Sequence, residues 1–129
     1  MPDVGDVIHS VIQADSTVAA ITTTVAPGKV PEQKDYPAVT YDQISGVGLD
    51  HKDGTSDMDT ERWQIASRAK KRIDAVSLDK AVRSAIDGYS GTVNGVEVLS
   101  IRFKNRRTDW ESGQDVHRII SDYQILAIP

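Results

Sequence analysis

A chain of 129 residues has the length of one domain and can bury a core without staples. The absence of cysteine removes disulfides and thiolate chemistry and suits a cytosolic origin, while a net charge of -4 speaks against a dedicated nucleic-acid binder, whose footprint is a basic excess. No run approaches the ~20 apolar residues of a membrane span, and the opening Met1-Pro2-Asp3 is acidic where a signal peptide would be basic.

The spacing of Val4, Val7, Ile8, Val11 and Ile12 predicts an amphipathic helix over 3–14, capped by Asp3 with Asp6 three residues later. A shorter helix is expected over 16–22, opened by Asp15 or Ser16 and carrying Val18, Ala19 and Ile21. Thr22 to Val25 then approach a strand, but Pro27, Gly28 and Pro31 predict an extended, irregular connection rather than regular sheet. After Tyr36-Pro37 a strand is expected from Ala38 to Ile44, with Val39 and Tyr41 on one side and Thr40 and Asp42 on the other. Residues 45–60 hold three glycines, four aspartates and no apolar period. They read as a long mobile loop, and loops of that length are usually functional.

Glu61 to Ala69 reads as a second strand, with Trp63, Ile65 and Ser67 opposed to Arg62, Gln64 and Ala66. A helix follows from about Ile73 to Gly88 on the stripe Leu78, Ala81, Val82, Ala85 and Ile86. Its start is open between Ile73 and Ser77, which is a good cap type. Asn94-Gly95 marks a tight turn. Two long strands close the chain, 96–108 and 116–128, joined by a hairpin tip over 109–115. Leu99, Ile101 and Phe103 share a face, as do Ile119, Tyr123 and Ile125. The expected fold is α+β, a single domain over 1–129. It is an antiparallel sheet of about four strands with helices packed on one face.

Nothing in the chain groups a nucleophile with a base, which reads as no enzyme, no cofactor and no metal site. His9, His51 and His117 are far apart and keep no ligand spacing. The loop from Asp53 has Met58 where a calcium loop needs its turn glycine and Gln64 where it needs the closing glutamate. Gly46-Val47-Gly48 lacks a third glycine and a following helix. Two basic groups remain: Lys70-Lys71-Arg72, and a strand in which Arg102, Lys104 and Arg106 alternate with Arg107 beside them. Alternation would set these three side chains ~6–7 Å apart on one surface. That surface is a solvated face that resists edge aggregation, a protein-binding face, or a phosphate-binding one. Trp110, between Asp109 and Glu111, either folds back on the sheet or anchors a contact between molecules.

The order of these features resembles the tail-completion, head–tail joining (tail-terminator-like) proteins of long-tailed bacteriophages. The resemblance is carried by Ala14-Asp15-Ser16-Thr17-Val18-Ala19-Ala20-Ile21, by Pro31 and then Tyr36-Pro37-Ala38-Val39-Thr40-Tyr41, by Gly54 through Arg62-Trp63-Gln64-Ile65-Ala66-Ser67-Arg68-Ala69, and by the helix Ala75 to Ile86 with strands after it. It covers about residues 5–126. The chain departs from it where Ile65-Ala66-Ser67-Arg68-Ala69 is small and polar and the family is often more aromatic. The resemblance implies a structural virion protein that completes the tail and joins it to the head connector, as a hexameric ring. Its implied partners are copies of itself, the tail tube protein and a head-completion or connector protein, with no membrane and DNA only as passing genome. Its place would be the head–tail interface of the virion, after a stage in the host cytoplasm. Contacts are expected from the 45–60 loop (Leu49, Asp50, Asp53, Asp57), the basic strand (Arg102, Lys104, Arg106) and the hairpin tip (Arg107, Trp110, Glu111). The alternative is a small nucleic-acid-binding module using the basic strand face. An injection device or gene-transfer agent built from the same part would read identically.

Overall fold

The computed structural model describes residues 3–28, 36–51, 54–93, 95–111 and 116–128, with backbone alone for 45–51 and 54–59. Helix α1 spans Val4–Ala14 and begins with a reciprocal cap. The Asp6 N–H donates to Asp3 Oδ1 (3.1 Å) and the Asp3 N–H to Asp6 Oδ2 (2.8 Å), which satisfies two donors that an uncapped helix leaves open. Asp15 ends α1 and caps α2, Ser16–Ile21, by accepting from the Thr17 and Val18 N–H groups at 3.0 Å. The chain then forms β1 (Val25–Pro27), β2 (Ala38–His51), β3 (Gly54–Ala69), α3 (Arg72–Ile86), β4 (Gly91–Val93), β5 (Val96–Glu111) and β6 (Val116–Ile128).

The strands make one six-stranded sheet in the order β1-β2-β3-β6-β5-β4. It is mixed: β1 runs parallel to β2, and every other pair is antiparallel. The expected sheet of about four antiparallel strands is therefore corrected at both margins, by strands of three residues each. Three residues show too little alternation to read as strands, and a parallel partner is recruited across a connection whose length hides the pairing.

A second correction concerns 45–60. The ladder between β2 and β3 continues from Ser45↔Arg62 to His51↔Gly54, so the expected loop is a long hairpin arm. Apolar alternation records the core that a strand covers, whereas the ladder itself needs only backbone donors and acceptors. An arm can thus run through glycines and aspartates with no period to announce it.

The helices cover one face of the sheet. Val4, Val7, Ile8 and Ile12 of α1, Val18 of α2 and Leu78, Ala81, Val82 and Ile86 of α3 join Val39, Tyr41, Trp63, Ile65, Ile101, Tyr123 and Ile125 in one core. The strand faces expected for β2, β3 and β6 are those observed. Helix α3 starts at Arg72 after Lys71, which makes no side-chain cap, so Ser77 lies within it. Its last turn clamps β5: Arg83 stacks over Phe103 at 3.9 Å, and Asp87 accepts from the Phe103 N–H at 3.0 Å. Strand β5 departs from plain alternation twice, between Val98 and Ser100 and between Phe103 and Asn105. The first irregularity buries Val98 and Ile101 and leaves Leu99 half-buried, out of line with the face assigned to it from sequence.

Candidate interaction surface

The face of the sheet away from the helices is the surface to build. Ala26, Ala38, Thr40, Ala66, Val116 and Ile120 lie buried on this side, in the strand phase opposite to the residues that meet the helices. Long polar side chains stand in the neighbouring register positions: Arg68 beside Arg118, Gln64 beside Asp122, and Arg107 opposite Ile120. Extended guanidinium side chains can cover apolar centres with their stems while the charge reaches water.

The second irregularity of β5 decides which basic residues share this face. Arg102 is opposite Gln124, but after the extra residue Arg106 is opposite Ser121 and Arg107 is opposite Ile120. Arg102 and Arg107 therefore lie on the helix-free side and Arg106 on the helix side, so the expected stripe Arg102-Lys104-Arg106 does not exist. The inserted residue inverts the side-chain phase of everything after it. Lys104 stays with Arg102, and the two line a shallow depression with Thr60, Ser100, Gln124 and Leu126. Arg106 instead sets Nη1 3.3 Å from Oδ2 of Asp79, a buried carboxylate on α3 that also accepts from the Ser121 hydroxyl at 2.7 Å. Sequence reasoning missed Asp79. Its signal was its position, a carboxylate next to Leu78 in a stripe that otherwise carries apolar residues.

Where β5 and β6 run toward their hairpin end, charge is organised in a network. Arg68 donates to Glu111 and, at 3.1 Å, to Thr40 Oγ1; Arg118 donates to Asp109 and brings Nε within 3.6 Å of Glu111. The Arg118 guanidinium holds the Asp109 carboxyl below the usual carboxylate range, helped by the Trp110 N–H, which donates to Asp109 Oδ1 at 2.6 Å. With the folded value lowered, the interaction is fully present above the unfolded value of ~3.9 and is lost as pH falls through the lowered one. A carboxyl NMR titration should place the Asp109 midpoint below that of an unperturbed aspartate, and Arg118→Gln should return it upward; an unchanged midpoint in that variant would remove the pairing. Deeper in the sheet, burial raises the Tyr123 hydroxyl above its ordinary range, with the nearby Asp79 charge adding to it.

Trp110 is in β5 opposite His117, not at a hairpin tip, and is 51% exposed. It borders a pocket of about 280 Å³ with Arg72, Thr108, Asp109, His117, Arg118 and Ile119. Glu111 is held inside the ion network, whereas Arg102, Lys104 and Arg107 join no ion pair among the described residues. Leu49, Asp50 and Asp57 fall on the backbone of the arm, and Asp53 lies outside the described residues. The 45–60 arm and the region of Trp110 and Glu111 are not brought together. Gly48 is level with Asp59, and Glu111 is level with Val116 beyond Ala69, a separation of roughly 35 Å along the strands.

Elsewhere, an apolar groove of about 470 Å³ runs between Val11, Ala14, Ala85, Tyr89 and Val93. His9 faces Tyr41, with Nδ1 3.1 Å from the phenol oxygen. Among the described residues no three His, Asp or Glu side chains gather as metal ligands, and no helix is long and apolar enough to cross a membrane.

Among solved structures, the fold recurs in a chain of one described as "Virion of native gene transfer agent (GTA) particle". The two superpose with a TM-score of 0.79 over 95% of this chain and 92% of that one, at 17% identity. Identity that low establishes shared architecture alone. No curated protein matches the sequence. The family described as "Tail completion protein gp17" matches over residues 6–127, from the first turn of α1 to the end of β6. The chain belongs to that family of tail completion proteins and is a structural, non-catalytic virion protein of the phage-tail type.

Proposed function

We propose that this protein closes the head-proximal end of a tail as a ring of six copies and presents the surface on which the head connector docks. The observation that carries the reading is the family match across nearly the whole chain. Its partners in that position are further copies of itself, the tail tube protein on one side and a head-completion or connector protein on the other. The genome passes through the ring. Before assembly the subunit waits in the host cytoplasm, where a net charge of -4 favours solubility. A nucleic-acid-binding module fits less well, because the split of the basic strand between two faces removes the continuous stripe that would track a phosphate backbone.

Electron microscopy of particles made without this gene tests the proposal. Filled heads lying apart from otherwise assembled tails are the expected result. Intact particles would overturn it.

A further inference from the structure

The helix layer carries an apolar knob at one end of α3 and an apolar hollow at the other. Ile73, in the first turn of α3, is 70% exposed, more than any other large hydrophobic side chain among the described residues. Ala75, Leu78, Val82 and Ile86 hold the core side of the helix, and Ile73 stands on the side turned away from them. Its neighbours Lys71 and Arg72 are exposed and join no ion pair among the described residues. Lys71 opens the helix without a side-chain cap, so the positive end of the α3 dipole lies beside the two cations.

The hollow is the groove of about 470 Å³ between Val11, Ala14, Ala85, Tyr89 and Val93. From Ile73 to Ala85 the helix advances about 18 Å. Val11, Ala85, Tyr89 and Val93 are half-buried margins of the main core, so the groove is core surface left facing water. Its rim is negative. Helices α1 and α3 both finish there, at Ala14 and Ile86, and bring the negative ends of their dipoles to it. The last turn of α1 holds no basic residue, and Asp15 lines the groove itself.

Knob and hollow match in polarity and in charge. A branched aliphatic side chain beside two cations faces an apolar cleft under an anionic rim, and the stems of the cations can lie along that rim with their charges in water. One chain cannot make the match with itself, because α3 holds the two features apart. A second copy can. Each copy carries one knob and one hollow at opposite ends of the same helix, so contacts of this kind run from copy to copy and end only when the rotation between copies closes a ring.

We propose that copies join head to tail through their helix layers, with Ile73 of one copy seated in the groove between α1 and the end of α3 of the next, and Lys71 and Arg72 over its negative rim. The proposal rests on the ring reading above and names a contact between its copies. Ile73 is the central anchor of that contact, the kind of desolvated side chain that carries most of an interface's energy within a wider, weaker surround.

The chain has no cysteine, so introduced cysteines report alone. Ile73→Cys is combined in turn with Ala85→Cys and with Ala14→Cys, and purified particles are mildly oxidised and run on a denaturing gel. Position 73 stands too far from the groove for either pair to bridge within one chain, since a disulfide needs Cα atoms within ~7 Å. A ladder in multiples of the chain's mass from at least one double variant, and monomers from each single variant, is the expected result. Particles that contain the protein but give no ladder from either pair would overturn the contact and leave the ring reading standing. Dimers and nothing longer would also overturn it, since two copies would then meet about a two-fold axis. A band joining the chain to a different protein of the particle would show another occupant and end it as well. Particles that lack the natural chain would sink the ring reading, and oxidation of the concentrated purified chain then decides the contact, a ladder supporting it and monomers ending it. Ile73→Asp should leave the urea midpoint in place, because the side chain is exposed. It should cut the copies found per particle roughly tenfold or more, while Ile73→Leu keeps them. A folded Ile73→Asp chain that enters particles at the natural level would overturn the knob.

Discussion

Trp63→Ala should lower the unfolding free energy by about 4 kcal/mol, the range measured for deleting a buried aromatic side chain. Domains of this kind keep only ~5–15 kcal/mol in total, so the variant would fall near the threshold of folding. Trp63 is 5% exposed on β3, in the middle of the sheet, and touches both layers of the core. Its ring lies where a side chain on Gly5 would have to go: a Cβ there would come within 3.0 Å of it. Glycine at that position lets α1 sit against the indole without displacing it. Tyr41 packs beside the indole with ring centroids 6.2 Å apart, and the indole N–H donates to Glu61 Oε1 at 2.9 Å. Alanine leaves a cavity between α1 and the sheet that rigid strands cannot close. Urea denaturation monitored by circular dichroism measures the loss; a change under 1 kcal/mol would mean that α1 collapses into the space.

The second large effect belongs to the buried carboxylate. Arg106→Met should cost about 2–3 kcal/mol, because it leaves Asp79 charged and buried with Ser121 as its remaining hydrogen-bond partner. The Arg106 side chain is 45% exposed, which keeps the loss below that of a fully buried pair. Adding Asp79→Leu to Arg106→Met should recover most of it, since two apolar side chains of suitable size need no desolvated charge. Recovery should fall short by ~1 kcal/mol, the usual worth of a hydrogen bond, because Ser121 loses its acceptor. A double-mutant cycle over four urea curves, of the native chain, Arg106→Met, Asp79→Leu and the double variant, yields the coupling, and additive losses would show that the two residues do not act as a pair.

Much of the fold was legible because local chemistry and burial agree. Asp3 with Asp6 marks the start of α1 through donors that must be satisfied, and Val39-Thr40-Tyr41 and Trp63-Gln64-Ile65 alternate because only one face of β2 and β3 meets the helices. Where structure is carried by backbone alone, sequence is silent. The arm from Ser45 to Thr60 and the parallel strand at Val25–Pro27 are of that kind. The irregularity between Phe103 and Asn105 is a different failure. One residue inserted into β5 changes no composition, yet it moves Arg106 from the supposed binding stripe to the helix side and creates its pairing with Asp79. The family was readable in the order of elements, while the contact residues were chosen from loops that the sheet partly absorbs.

The pairing of β3 with β6 has a consequence for how the molecule forms. Strands β2 and β3 make one sequence-local hairpin and β5 and β6 another, but the seam that unites them joins Asp59–Ala69 to His117–Ala127 across α3 and two strands. Chain-entropy cost delays such distant pairing until the hairpins exist, so the seam should be the late and slow event of folding. Until it closes, β3 and β6 each present a bare edge that fits a second copy as well as its own chain. Confining subunits at high local density thus favours exchange of hairpins between copies. A protein of this design is safest when every copy has sealed its seam before it meets the next.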